Sequence, residues 1–255
     1  MIKLIIFTIL IFITFNPINA RNIGETEITT EDGIEVFQDE KYYLLKKNVE
    51  IVSDDLELTG QNVKIFFEED LYDIINLHAT NDVGFISNAF KIEGSGNDVK
   101  FNVKDQIIII KGKDSKLYLE TTKMYSDGEI NVNNLKGSFF LNGSNSILIS
   151  DGTYISGFQI NGVFQIINEQ RDISNLIVED EIKVKIKTED TIMFAKKAIF
   201  NKKKSIIELF EEVEINRGDE IITGDYGILN TKKNSYKVSS NNSKKVKAVI
   251  SSSNE

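Results

Sequence analysis

Apolar and polar residues alternate through most of this chain with a period of two, the signature of extended strands with one dry face. The clearest stretch is Val213–Asn230. There Val213 and Ile215 alternate with Glu214 and Asn216, Arg217-Gly218-Asp219 turns the chain, and Ile221-Ile222 lead back to Gly224. Counted from Val213, apolar residues fall at offsets 0, 2 and 9, a small residue at 11 and Asn at 17. The same offsets from Val184 hold Val184, Ile186, Met193, Ala195 and Asn201. From Val49 they hold Val49, Ile51, Leu58 and Gly60, with Phe66 in place of Asn. A weaker fourth copy reads Phe101, Val103, Ile110 and Gly112. The starts lie 29, 83 and 52 residues apart, close to one, three and two units of about 26–29 residues, which predicts stacked supersecondary units that bury their apolar faces only against neighbours.

Taken in order, the pattern predicts strands at Gly33–Phe37, Tyr42–Val52, Leu56–Leu58 and Val63–Phe67, then a short apolar run over Leu71–Leu77. Phe90, Ile92, Val99, Phe101 and Val103 continue the alternation around an expected turn at Gly94-Ser95-Gly96-Asn97. Ile107–Ile110 is apolar on both faces. Leu117–Leu119, Ile130–Val132 and Phe139–Leu141 follow. Asp127-Gly128, Asn142-Gly143, Asp151-Gly152 and Asn161-Gly162 are dipeptides that favour tight hairpins. Ile182, Val184 and Ile186 interleave with three lysines in the cleanest period-two segment. Tyr236–Val238 and Val246, Ala248, Ile250 close the pattern before a polar tail, Ser251–Glu255. No helix is expected between residues 21 and 255. The expected fold is all-β: a single domain of stacked antiparallel strands, ordered over about 33–250.

The first twenty residues stand apart. Lys3 supplies a positive start, Leu4–Phe15 is an uncharged apolar run, and Ile18-Asn19-Ala20 offers a small residue for cleavage, which together read as a secretory signal peptide. A retained anchor is the competing reading, but the run falls short of the roughly 20 residues needed to span hydrocarbon. Export to the periplasm with cleavage after Ala20 is therefore expected. Lys3 is the only charge in this segment, so its removal leaves 29 basic against 39 acidic side chains, a net charge of −10. Such acidity argues against a nucleic-acid partner, whose phosphates dominate binding. There is no Cys, which removes disulfides, thiolate metal sites and Cys nucleophiles, and the one Pro, Pro17, lies in the leader.

Catalytic chemistry finds little to work with. His78 is the only histidine, so neither a triad nor a multi-His zinc site is available; its expected role is a half-buried polar residue. Adjacent carboxylates at Asp54-Asp55, Glu68-Glu69 and Glu211-Glu212 point to opposite faces of a strand, which disfavours acid/base pairing. No calcium loop and no Gly-rich phosphate loop is present, and no cofactor or metal is expected. Lys202-Lys203-Lys204 and Lys244-Lys245-Lys247 read as solvated turns that could attract anionic head groups.

Val49-Glu50-Ile51 through Leu58-Thr59-Gly60, and Val213-Glu214-Ile215 through Ile222-Thr223-Gly224-Asp225-Tyr226 with Asn230, resemble the repeat of the OstA-like (organic solvent tolerance) domain of periplasmic lipopolysaccharide-transport proteins. Tyr236-Lys237-Val238 and Lys245–Ile250 resemble the closing strand of their LptA-type bridge components. The resemblance covers roughly 34–90 and 180–250, and the middle of the chain lacks clear motifs. It implies a twisted β-jelly-roll with an apolar interior and a non-enzymatic role carrying lipopolysaccharide from the inner to the outer membrane. The implied partners are lipopolysaccharide through its lipid A acyl chains, inner-membrane LptC-like and outer-membrane LptD-like proteins, and further copies joined head to tail through edge strands. Under that reading Val49, Ile51, Leu58, Val63, Ile65, Val213, Ile215 and Ile222 line a lipid groove. An anchored LptC-type component, or an exported β-solenoid enzyme or adhesin acting on polysaccharide, are the alternatives.

Overall fold

A computed structural model describes residues 22–69, 73–167, 170–240 and 245–250. The expected signal peptide, Leu71, Lys244 and the Ser251–Glu255 tail lie outside the described residues.

The described chain forms eighteen strands in one antiparallel sheet. They are β1 (Glu27–Thr29), β2 (Ile34–Phe37), β3 (Tyr42–Val52), β4 (Leu56–Phe67), β5 (Ile74–Ser87), β6 (Ile92–Asn102), β7 (Ile107–Lys111), β8 (Ser115–Leu119) and β9 (Thr122–Ser126). The second half holds β10 (Glu129–Asn133), β11 (Ser138–Ser150), β12 (Thr153–Ile167), β13 (Gln170–Lys187), β14 (Thr191–Asn201), β15 (Ile206–Arg217), β16 (Glu220–Asn230), β17 (Ser235–Ser239) and β18 (Lys247–Ile250).

The register shows what the sheet does. Ten long strands, β3–β6 and β11–β16, have separately paired halves, and in most pairings the register jumps at mid-strand. The other eight strands are half-length and combine as four split rungs: β7 and β8 each pair with one half of β6, β10 and β9 with the halves of β11, β2 and β1 with those of β3, and β17 and β18 with those of β16. The ten long strands and four split rungs thus make fourteen rungs, each contributing one segment to each of two layers. The first layer contains β2, β7, β10, β17 and the paired halves of the long strands. The second contains β1, β8, β9, β18 and the opposite halves. The mid-strand bends and the 111–115 and 126–129 crossovers form the spine that joins the layers. A bulge bends a strand sharply, and repeating it at every rung folds one sheet into a roll. The fold is all-β with stacked antiparallel strands, as the alternation predicts.

The spine has its own chemistry. Consecutive residues occupy left-handed backbone at Lys47-Asn48 (φ 66°, 50°), Asn81-Asp82 (66°, 53°) and Glu211-Glu212 (63°, 52°). Ladder carbonyls lose their partners at a bend, and buried hydroxyls replace them: Ser115 Oγ donates to Gly112 O (2.7 Å), Ser126 Oγ to Asn142 O (2.8 Å) and Ser146 Oγ to Gly143 O (3.0 Å). All three serines are buried.

Between the layers lies one continuous apolar core. Phe85 of the second layer meets Phe101 of the first edge-on, with ring centroids 4.8 Å apart. The repeat is a pairing rule: Val49 faces Gly60, Val184 faces Ala195 and Val213 faces Gly224, and two residues on, Ile51 faces Leu58, Ile186 faces Met193 and Ile215 faces Ile222. The weak fourth copy does not follow it. Phe101 pairs with Ile108 rather than Gly112, and Val103 is an exposed turn residue, because the pair separated by eleven residues here is Val99 and Ile110, two positions earlier.

Several expected turns are not turns. Leu56–Leu58 and Val63–Phe67 are halves of one bent strand, and Gly94–Asn97 lies within β6. Asn142-Gly143 is the bend of β11, and Asp127-Gly128 crosses between layers, since β9 and β10 do not pair with each other. Asn161-Gly162 sits mid-strand in β12. A Cβ on Gly162 would fall 2.0 Å from Cζ of Phe139, so the glycine leaves room for an aromatic ring across the rung. Asp151-Gly152 is a true hairpin turn, with φ of 48° and 75° and Ser150 paired to Thr153.

Candidate functional site

Away from the spine the layers are free to part, and two arginines tie them there. Arg171, on β13 of the first layer, reaches the turns of the second. Its Nη2 donates to the carbonyl of Phe90 (3.0 Å), its backbone N–H donates to Glu120 Oε2 (3.0 Å), and its Nη1 lies 3.6 Å from Glu120 Oε1. Nε and Nη2 also hold Asn134 Oδ1 of the first layer, at 3.2 and 2.6 Å. The side chains of Arg171 and Glu120 are only 16% and 17% exposed, so this pair is screened far less than a surface one. The second tie is Arg217, at the end of β15. Nη2 donates to Asp190 Oδ2 (2.7 Å) within its own layer, and Nη1 donates across to the carbonyl of Asn234 (3.3 Å). The Thr191 hydroxyl above all, helped by Asn234 and Arg217 and opposed by desolvation, holds the Asp190 carboxyl below the usual range. At the C-terminal end Tyr236 donates across the layers to Glu220, and that bond is the main reason its phenol titrates above the ordinary value.

Between the two arginines the layers enclose an apolar cavity of about 240 Å³. Ile155 and Ile186 of the second layer and Ile173, Leu176, Val178, Ala198, Phe200 and Ile207 of the first supply its walls. Ser150, Asp151, Thr188, Asp172, Lys202 and Thr231 form a polar rim, where Lys202 Nζ lies 2.5 Å from Asp172 Oδ1. Other depressions, of about 320 and 480 Å³, are lined chiefly by outward residues on the outer faces of the second and first layers. The interlayer cavity falls below the 300–1,000 Å³ usual for drug-sized ligands.

The predicted lining residues fall into the core. Val49, Ile51, Leu58, Val213 and Ile215 point inward from the second layer and Val63 and Ile65 from the first, all 4% exposed or less, whereas Ile222 is half-buried on β16. None of the eight lines the cavity between the arginines. Its walls come instead from the rungs around the second repeat copy, of which Ile186 is a member. The arginines carried a signal too: of thirty Lys and Arg only three are Arg, and two of these bond across the layers. A planar fork holds several acceptors at once where a lysine presents a point charge.

The residues considered for catalysis take other places. His78 is half-buried on the outer side of β5, its Nε2 3.0 Å from Asp98 Oδ2. Glu211-Glu212 sits at the bend of β15, where Glu212 lies 3.6 Å from Lys196 Nζ. Lys202-Lys203-Lys204 occupies the turn after β14. Among the described residues no group of three or more His, Cys, Asp or Glu side chains is placed to hold a metal ion.

Comparison with known proteins gives one family match, over the C-terminal part of the chain, and a match among solved structures. A search of curated proteins finds no match. Among solved structures, the crystal structure of LptH from Pseudomonas aeruginosa, described as the LptA homologous periplasmic component of its conserved lipopolysaccharide transport device, shares 8% identity over 89% of this chain and 96% of that chain, with a TM-score of 0.24. Residues 162–250, which run from β12 to β18 and supply most of the cavity walls, match the family model described as OstA-like protein.

Proposed function

We propose that this chain is a periplasmic lipopolysaccharide carrier that shelters acyl chains between its two layers. The observation that carries the reading is the cavity between Arg171 and Arg217, which opens the continuous core under a polar rim and is lined mostly by residues of the segment that matches the OstA-like model. Each methylene moved from water into such an interior contributes about 0.8 kcal/mol, so an acyl chain has a strong driving force to enter. Aspartate and lysine at the rim suit a ligand with an apolar tail and a charged head. On this reading Val49, Ile51, Leu58, Val63, Ile65, Val213, Ile215 and Ile222 extend the lining when the layers separate. The chain has no reaction of its own, and the energy for directional transfer comes from a partner.

The outermost rungs support a bridging role. Among the described residues β1 and β2 pair only with β3, and β17 and β18 only with β16, and Ile34, Val36, Val249 and Ile250 are exposed there. Unpaired edges of this kind add strands from a partner, either a second copy or a like-folded protein at each membrane. A photo-crosslinking amino acid in living cells tests the carrier reading. At Leu176, which points into the cavity, it captures lipopolysaccharide; at Ile177, which points outward, it does not. Capture from Ile177 alone would refute the interior as the lipid path.

A further inference from the structure

The outer face of the second layer carries a charge pattern that the carrier reading does not use. Over six neighbouring segments, from β8 through β9 and the second-layer parts of β11, β12, β13 and β14, the outward ladder positions hold four lysines, Lys116, Lys123, Lys185 and Lys187, and a fifth, Lys183, lies in the bend just before the ladder of β13 resumes, two residues after Glu181. The same positions hold Tyr118, Tyr125, Tyr154 and Phe194 with Ile147, Ile149 and Ile192, and no carboxylate. Three lysines lie over aromatic rings: Lys123 over Tyr118 (5.9 Å), Lys185 over Tyr154 (5.8 Å) and Lys183 over Phe194 (3.9 Å). Among the described residues none of the five enters an ion pair, while Lys46, Lys47, Lys111, Lys196, Lys197 and Lys202 all do. In a chain of net charge −9, the outward ladder positions across a strip about 24 Å wide hold cations and aromatics without acids.

We infer that this face docks on an anionic lipid bilayer. Unpaired lysines are attracted to the negative head-group layer, and tyrosines settle at its boundary with rings inward and hydroxyls in water. Half-buried isoleucines between them add apolar area at the same depth. The rest of the acidic surface is repelled, so the contact also orients the roll, with the second layer against the membrane and the cavity mouth along its margin. The inference is independent of the carrier reading, because no residue of the face lines the cavity.

Vesicle co-sedimentation tests it, using the full chain with phosphatidylglycerol–phosphatidylethanolamine vesicles against phosphatidylcholine vesicles. The native protein is expected to sediment with the anionic vesicles at low salt and to leave them in about 1 M salt, where the screening length falls to about 3 Å. Combined Lys123→Ser, Lys185→Ser and Lys187→Ser substitutions are expected to weaken binding about tenfold or more, and Lys116→Ser with Lys123→Ser to act in the same direction. Lys203→Ser with Lys204→Ser, in the turn after β14, is expected to leave it unchanged. Residues 4–15, where retained, would add binding that depends on neither lipid charge nor salt, so only the charge-dependent part is scored. Equal binding to both vesicle types, no charge-dependent binding, or equal loss in the 203/204 variant would overturn the inference. None of these results depends on acyl-chain capture at Leu176.

Discussion

The Arg171 guanidinium and the Glu120 carboxylate meet across the two layers, fifty-one residues apart in sequence, with their side chains four-fifths or more buried. Removing the arginine strands Glu120, Asn134 Oδ1 and the Phe90 carbonyl in a site that water reaches poorly. Arg171→Ala is therefore expected to lower unfolding free energy by about 2–4 kcal/mol, within the range for breaking a buried, hydrogen-bonded pair. Arg171→Lys should recover only part of it, since one ammonium cannot satisfy acceptors in two layers with the same geometry. Urea titration followed by circular dichroism measures both. Full recovery by lysine would show that charge alone, and not the fork, ties the layers.

How much of this was legible in the sequence differs from element to element. The strand periodicity, the recurrence of a small residue eleven positions after Val213 and Val49, and the hairpin at Asp151-Gly152 were all readable, because periods and turn dipeptides are local signals; that the recurring positions face each other came from the register. The bends were not readable. Asn142-Gly143 and Asn161-Gly162 look alike in sequence, yet one marks a spine bulge and the other makes room for Phe139, a distinction set by a ring on another strand. The cavity was missed for a related reason. Its walls join Ile155 with Ile173 and Ile207, residues brought together only when each long strand folds over at its middle.

Gly162 and Phe139 make that point measurable. Gly162→Ala places a methyl where the ring now lies and should destabilise the roll by about 1–3 kcal/mol. Adding Phe139→Leu removes the obstruction, so the double variant should be more stable than the sum of the single effects predicts. A double-mutant cycle from thermal unfolding gives the coupling. Strict additivity would mean that the backbone, and not the ring, resists the alanine.

The cavity should bind apolar probes in proportion to its free volume. Ala198 lies on its wall, so Ala198→Phe is expected to fill it and weaken N-phenyl-naphthylamine binding about tenfold. Leu117, buried in the filled half of the core, is the contrasting position: Leu117→Ala should cost about 2–5 kcal/mol while leaving probe affinity within about twofold. Fluorescence titration and denaturant unfolding on the same samples separate the two effects. Equal probe binding in native protein and Ala198→Phe would exclude this cavity as the apolar site.

Alkaline pH offers a test of the first layer's outer surface. Tyr226 donates to Glu208 Oε1 at 2.6 Å, and desolvation, followed by that bond and the carboxylate charge, pushes its phenol up to about 12. A free tyrosine titrates near 10. Because the folded state holds this proton more tightly than the unfolded one, the stabilisation is fully present below about pH 10 and is lost as pH rises through the folded value. The midpoint of thermal unfolding should thus fall between about pH 10 and 12, and Tyr226→Phe should flatten that part of the decline while lowering stability modestly at neutral pH, where the hydrogen bond is intact. Tyr236, shifted in the same direction by Glu220, leaves a residual slope in the variant. An identical alkaline slope in native protein and Tyr226→Phe would show that the phenol keeps its ordinary proton affinity and that its bond to Glu208 does not persist in solution.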